Sequence, residues 1–135
     1  MYNRQKSSRR NRPYSIKKTS IKDENIDRQI IVIHRAIAHK LLKQPELAEQ
    51  VKARLEAQRE EGKLGYSHYI TWVSALELID QSEVFINALT EDSPKMRKLR
   101  RRTPFTGILT EAERVAALEQ DAIGVIATQD LSGLF

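Results

Sequence analysis

An apolar stripe at helical spacing, which begins shortly after residue 20, constrains the fold more than any other feature of this sequence. Four, three, four and four residues separate its members, which are Ile26, Ile30, Ile33, Ile37 and Leu41. Because side chains three and four residues apart lie on one face of an α-helix, this spacing predicts a helix with one continuous buried face. Neighbouring apolar residues widen that face, so we expect this helix, over about residues 21–43, to be the most buried element.

Composition supports a helical fold with a single core. The 135 residues include only five glycines and four prolines, which is too few for a turn-rich sandwich or barrel. The chain contains no cysteine, so neither a disulfide nor a thiolate metal site can form. This length fits one domain, and the sequence has neither a stretch of about 20 apolar residues nor a secretory signal. We therefore expect an all-α, cytoplasmic protein with no membrane association.

Proline, glycine and capping residues predict where the later helices begin and end. Pro45 suits the first position of a second helix, and Gly62 suits the position just after its end. The third helix is expected at about residues 68–79, and Ser82 is expected to cap a fourth.

Two further capping patterns follow. Ser93-Pro94 is typical of a helix start, and this fifth helix is expected to run to about residue 102. Thr110-x-x-Glu113 has the spacing of a capping box, which opens a sixth helix over residues 111–120. The bundle should therefore contain five to six helices.

The chain is predicted to divide into three segments. Residues 1–20 have few groups to bury and are expected to form a disordered basic arm. Residues 21–120 are expected to form the helical domain, and residues 121–135 an apolar C-terminal tail that is partly extended. Within the tail, residues 124–128 suit a short strand or a docked extended segment. Apolar residues close to the end are expected to dock on another surface; they are Leu131, Leu134 and Phe135.

Positive charge is concentrated in two segments of an otherwise acidic chain. Residues 1–22 hold eight Lys/Arg, residues 94–103 hold six, and neither segment holds an acid. Such blocks attract polyanions or acidic protein surfaces. The residues expected to contact a partner or phosphate groups are Arg9, Arg10, Arg12, Lys17 and Lys18 in the arm, and Lys95, Arg97, Lys98, Arg100, Arg101 and Arg102 in the fifth helix.

The fifth helix admits two interpretations. Met96 and Leu99 share one side and can attach the helix to the body, while the cations occupy the remaining arc of roughly 200°. In the first interpretation the cations face outward and bind phosphate groups or an acidic partner. In the second, they complement the dipole at the helix C-terminus and pair with acids of the body. Arginines of residues 97–102 that fold inward and are fully neutralised by the protein's own carboxylates would contradict the first interpretation.

No catalytic, metal or cofactor site is predicted. His34 and His39 lie five residues apart, which is about 140° on a helix and prevents joint chelation of a metal. We expect His34 to be a hydrogen-bonded residue at the edge of the core. Phosphate-binding glycine motifs, the G-x-S-x-G motif and a cysteine nucleophile are absent from the sequence. Tyr66, Tyr69 and Trp72 could stack on single-stranded bases, but the helical spacing of Tyr69 and Trp72 favours core packing.

A motif between the fifth and sixth helices resembles a known pattern. Leu99-Arg100-x-x-Thr103-Pro104-Phe105-x-Gly107-Ile108-Leu109-Thr110-x-x-Glu113-Arg114 is similar to the Leu-Arg, Ser-Pro-Phe-Ala-Gly-Val-Leu and Glu-Arg series of a family of small helical bacterial proteins. The resemblance extends to residues 33–41 and 69–72, and it spans roughly residues 30–118. It implies a cytoplasmic bacterial protein of a toxin–antitoxin or defence module. The chain departs from the pattern in its basic arm, its apolar tail, and threonine at positions 103 and 106.

The motif loop, defined as Thr103, Pro104, Phe105 and Gly107, also has a structural interpretation that does not depend on the family. Pro104 should stop the fifth helix, Phe105 should anchor the loop in the core, and Gly107 should permit a sharp turn. The alternative is that this loop faces a partner beside the basic helix.

Two functional hypotheses follow from these features. The first is a non-catalytic binding protein, antitoxin-like or immunity-like, which neutralises a partner protein by direct contact; the partner would be a toxin from an adjacent gene. The alternative is a nucleic-acid-binding module that grips the backbone of DNA or RNA with the arm and helix 94–102. An enzyme is a third, residual hypothesis, which requires a pocket with titratable groups. The sequence implies no cofactor and does not specify the oligomeric state.

Overall fold

The computed structural model describes the backbone of residues 21–134 and the side chains of residues 21–124. Within this range the chain forms six helices and no strand, which confirms the predicted all-α bundle. The helices are α1 (Ile21–Lys43), α2 (Pro45–Glu60), α3 (Tyr66–Leu76), α4 (Ser82–Thr90), α5 (Pro94–Arg100) and α6 (Glu111–Leu134). The predicted basic arm lies outside the described residues, and with it Arg9, Arg10, Arg12, Lys17 and Lys18.

Helix α1 is the centre of the bundle because it meets three other helices. It packs against α2, α4 and α6, while α3 packs against α2 and α4. The second half of the predicted apolar stripe lies deepest, with Ile37 3% exposed and Leu41 0% exposed. The core around them is completed by large apolar side chains of α2, α3 and α4, among them Val51, Leu55, Trp72, Phe85 and Leu89.

Local sequence signals fix several helix ends as predicted. The Ser93 hydroxyl accepts a hydrogen bond from a backbone N–H of α5 at 3.2 Å, and Pro94 occupies the first turn. The Thr110 hydroxyl accepts the backbone N–H of Glu113 at 3.1 Å, and the Glu113 carboxylate accepts that of Thr110 at 2.8 Å. This pair is the predicted capping box. Gly62 follows α2 with a φ of 76°, a left-handed conformation that glycine adopts without strain.

The sixth helix is longer than predicted. Helix α6 continues through residues 121–134, where the sequence predicts a partly extended tail with a strand or docked segment at 124–128. That prediction is wrong because the capping box has already nucleated the helix, and each further residue adds a hydrogen bond for little extra ordering. Gly124 lowers helix stability by about 1 kcal/mol, which is insufficient to end a helix that continues on both sides. The predicted docking of Leu131, Leu134 and Phe135 lies outside the described side chains.

Smaller differences occur at α3, α4 and α5. Helix α3 begins and ends two to three residues earlier than predicted. Helix α4 is preceded by Gln81, whose side chain makes no capping hydrogen bond, so Ser82 is its first residue and not its cap. Helix α5 ends at Arg100, because the next residues form a turn in which the N–H of Arg102 donates to the carbonyl of Leu99 at 3.0 Å. Among the described helices, none combines the length and apolarity needed to cross a membrane.

Candidate functional site

The cations of the fifth helix divide into two groups. Arg97, Arg100 and Arg101 turn toward the body, where they contact carboxylate or carbonyl oxygens. A second group is exposed, and its side chains form no hydrogen bond or ion pair with any described residue; it consists of Lys95, Lys98 and Arg102. The interpretation in which all six cations face outward is therefore wrong for Arg100, which is buried, whereas Arg97 and Arg101 are partly exposed and paired with the protein's own carboxylates.

Arg100 departs most from the prediction, because it is 2% exposed. Its Nη1 donates to the carbonyl of Leu89 in the last turn of α4 at 3.2 Å, while Nε and Nη2 have no partner among the described residues. Burial lowers the pKa of the Arg100 guanidinium, which still stays charged at neutral pH. A cation at a helix C-terminus complements the helix dipole. Since Met96, Leu99 and Arg100 lie three and four residues apart, they share the buried side of α5.

Arg97 and Arg101 support the second interpretation of the basic helix. Nε of Arg97 donates to the Asp92 carboxylate at 2.6 Å, and this hydrogen bond lowers the pKa of Asp92 and raises that of Arg97. Arg101 donates twice to the Asp27 carboxylate of α1, at 2.8 and 3.0 Å. Each pair is partly solvated, and exposed ion pairs contribute only about 0–1 kcal/mol to stability. The protein's own carboxylates therefore orient Arg97 and Arg101, but these ion pairs hold the two side chains only weakly.

A charged groove of about 520 Å³ lies between α1, the α4–α5 connection and α6. Ile31 and Val32 supply its apolar part. The charged groove is lined otherwise by polar and charged residues, namely Glu24, Asp27, Arg28, Arg35, Thr90, Asp92, Arg97 and Asp121. The lining therefore combines four acids and three arginines with a small apolar part, and no sequence motif indicates this arrangement.

The charges of this groove are partly paired and partly free. Arg28 of α1 forms an ion pair with Asp121 of α6 at 3.2 Å, which joins two sides of the groove. Glu24 and Arg35 form no hydrogen bond or ion pair through their side chains with any described residue. Glu24 lies in the first turn of α1, where its negative charge also complements the helix dipole. No local sequence pattern marks Arg35 as a binding residue, since its neighbours across the groove are distant in sequence.

The motif loop is attached to α1 through His34. Nδ1 of His34 lies 2.8 Å from the carbonyl of Ile30, and Nε2 lies 2.8 Å from the hydroxyl of Thr103. Because a carbonyl only accepts, Nδ1 must carry the proton, and the Thr103 hydroxyl then donates to Nε2. The same hydroxyl accepts the backbone N–H of Phe105 at 3.2 Å. This chain of hydrogen bonds holds the loop against the core in one arrangement.

The rest of the motif loop is also structural. Phe105 is 1% exposed, and its ring lies 5.3 Å from the ring of Trp72 at 90°. Gly107 has a φ of 89°, which permits the predicted turn. His34 is 2% exposed and belongs to the core, although we expected it at the edge. Burial lowers the pKa of His34 to about 4, so the imidazole is neutral at physiological pH.

Trp72 confirms the core-packing interpretation of the aromatic residues. It is 1% exposed and therefore cannot stack on a base. Tyr66 is exposed, and the Arg59 guanidinium lies 5.4 Å from the centre of its ring. Within residues 21–124, no group of three or more His, Asp or Glu side chains is placed to hold a metal ion.

Comparisons with known proteins identify no relative of this chain. No protein-family model, curated protein or solved structure matches the chain. What the molecule does must therefore be inferred from the geometry of the charged groove and the exposed cations.

Proposed function

We propose that this chain is a non-catalytic, cytoplasmic bacterial binding protein of the antitoxin-like or immunity-like type, which neutralises a partner protein by direct contact. The observation that carries the proposal is the charged groove between α1, the α4–α5 connection and α6. A groove of this kind can receive side chains of both signs from a second protein, while its apolar part excludes water at the centre of the contact.

The lining of the groove favours a protein over other ligands. Small-molecule pockets are mostly apolar with a few polar groups, whereas seven of the ten lining residues here are charged. A phosphate backbone is also a poor fit, because four carboxylates in the lining repel it. Protein surfaces present interspersed cations and anions, which can complement a lining that holds charges of both signs and give specificity.

The weak internal ion pairs make the groove adaptable. Arg28–Asp121 and Arg97–Asp92 are exposed pairs, so they can open and form new pairs with a partner at a small cost in stability. Arg35 and Glu24 can pair with a partner without breaking any contact among the described residues.

The proposal predicts a complex with the product of the adjacent gene. When both genes are expressed together, a tagged form of this protein should co-purify with the untagged neighbour. The pair should also restore growth to cells that the neighbour alone arrests. An unrelated helical protein with the same tag is the control for both readouts. Absence of a complex together with absence of growth rescue would contradict the proposal.

A nucleic-acid-binding function is the second candidate, and one observation favours it. Lys95, Lys98 and Arg102 are exposed without a described partner and are therefore available to phosphate groups. Three such contacts would give a log–log salt slope of about −3. Affinity for DNA and RNA measured at two salt concentrations tests this function, and binding that is absent or insensitive to salt would exclude it.

A further inference from the structure

We infer that a second site on this protein, the arginine cleft, binds the phosphate group of a small phosphorylated molecule. The cleft has a volume of about 250 Å³ and lies between α2 and the loop that follows α5. Arg54, Gln58, Arg102 and Thr106 contribute polar groups to its lining, and Trp72 forms part of the wall. Two guanidinium groups line this cleft and no carboxylate does, which distinguishes it from the charged groove.

Arg54 is held in place before any ligand binds. Its Nη1 donates to the carbonyl of Pro104 at 2.7 Å and to that of Thr106 at 3.3 Å. Its Nε and Nη2 form no hydrogen bond with the described residues, so they remain available to an anion. A donor that is already oriented loses little conformational freedom on binding, which favours affinity.

Arg102 supplies the second guanidinium group. It lies two residues after the end of α5, and its side chain forms no hydrogen bond or ion pair with a described residue. Several other arginines of this chain are paired with carboxylates, which leaves the two cleft arginines without that kind of neutralisation. Arg28, Arg97, Arg101 and Arg114 each contact a carboxylate, whereas Arg54 and Arg102 share a cleft without one. Two like charges in one cleft repel each other, so an anion between them is stabilising.

The wall of the cleft contains a buried donor without a partner among the described residues. Trp72 is 1% exposed, and its indole Nε1 has no hydrogen-bond partner among the described residues. A buried N–H without an acceptor leaves its partial positive charge uncompensated. This group need not touch the ligand, but it experiences the field of any anion that enters the cleft.

A phosphate monoester matches these donors better than a carboxylate does. It carries a charge of about −2 near neutral pH and offers three terminal oxygens. Two guanidinium forks, each with parallel N–H groups, balance that charge and can reach several oxygens together. A carboxylate has a single charge and two oxygens, which one arginine already satisfies. The volume of about 250 Å³ accommodates one such group, but not an extended polymer backbone.

The test is a titration of the full-length protein with inorganic phosphate, at an ionic strength held constant with chloride. The indole N–H signal of Trp72 in a ¹H–¹⁵N spectrum is a unique reporter, because the chain contains a single tryptophan. We expect a saturable shift of this signal with phosphate and a much weaker response to acetate. Arg102→Gln should weaken phosphate binding at least about tenfold, through loss of a charge-assisted contact.

Lys98→Gln is the matched control, since Lys98 is an exposed cation of α5 that does not line the cleft. It should leave phosphate affinity within about twofold of the unmodified protein. Equal weakening by both variants would show that only the overall charge matters, and it would overturn the assignment. A shift that does not saturate, or an acetate response as strong as that of phosphate, would overturn it as well.

Discussion

Replacement of Trp72 by alanine is expected to lower the free energy of unfolding by about 3–5 kcal/mol. The side chain is 1% exposed and belongs to a cluster of three aromatic rings. Its ring is 5.3 Å from that of Phe105 and 6.3 Å from that of His34. The substitution therefore removes the contact on which both the motif loop and α1 pack, and it leaves a cavity that the neighbouring helices cannot fill. Domains have only about 5–15 kcal/mol of stability, so the effect is large.

Urea denaturation followed by far-ultraviolet circular dichroism measures this effect, since it does not depend on tryptophan fluorescence. Tyr66→Ala is the matched control, because Tyr66 is an exposed aromatic residue of the same helix. It should change the free energy of unfolding by about 1 kcal/mol or less, which corresponds to the loss of its contact with Arg59. Equal effects of the two substitutions would show that the aromatic cluster does not hold the core.

Acid is expected to destabilise the protein by about 3 kcal/mol between pH 7 and pH 4, through protonation of His34 alone. The ordinary pKa of histidine is 6.5, and burial lowers the pKa of His34 to about 4. The unfolded chain therefore binds a proton first as pH falls. The stabilisation from neutral His34 is complete above pH 6.5 and is lost progressively down to about pH 4. The pKa of Asp92 is also lowered, by its hydrogen bond with Arg97, but that carboxylate contributes only at lower pH.

His34→Gln tests the origin of this pH dependence. The variant should be less stable than the unmodified protein at pH 7, but its free energy of unfolding should fall less between pH 7 and pH 4. His39→Gln replaces an exposed histidine of the same helix and should keep the original slope. The slope is the informative quantity, because a substitution that merely loosens the core shifts the curve without flattening it. An unchanged slope in His34→Gln would assign the acid sensitivity to other groups.

The features that follow from local sequence were predictable. The apolar stripe of α1 correctly predicted that Ile37 and Leu41 lie in the core, because helical periodicity depends only on residues three and four apart. The capping box of Thr110 and Glu113 and the start of α5 at Pro94 also involve neighbours within one turn. Such signals report on hydrogen bonds that form inside a single element, so they need no knowledge of the tertiary structure.

The orientation of the cations depends on contacts that are distant in sequence. Arg101 pairs with Asp27, and Arg28 pairs with Asp121, although 74 and 93 residues separate the partners. Helical spacing could still have identified two buried residues. Arg100 lies four positions after Met96 on the inner side of α5, and His34 lies three positions before Ile37 in α1. The charged groove and the arginine cleft are formed by different elements, and no periodic pattern reveals them.

These contacts change the role of the basic helix in the proposed function. Of its cations, Arg97 belongs to the charged groove, Arg102 belongs to the arginine cleft, and Arg100 stabilises the end of α4. A single basic patch is thereby replaced by separate sites with different charge balance. The proposed protein contact follows from the groove, where both signs of charge are present, and not from the number of arginines.

The dissociation constant of the complex with the purified product of the adjacent gene tests the role of the groove most directly. We compare Arg35→Glu, which reverses a free charge inside the groove, with Lys98→Glu, which reverses a free charge outside it. Both residues are exposed cations on helices, and their side chains form no hydrogen bond or ion pair with any described residue. Neither substitution should therefore change the free energy of unfolding by more than about 0.5 kcal/mol. Calorimetry should show affinity reduced at least about tenfold by Arg35→Glu and within about twofold of the original in Lys98→Glu. The reverse order, with Lys98→Glu the more damaging change, would contradict a contact through the groove.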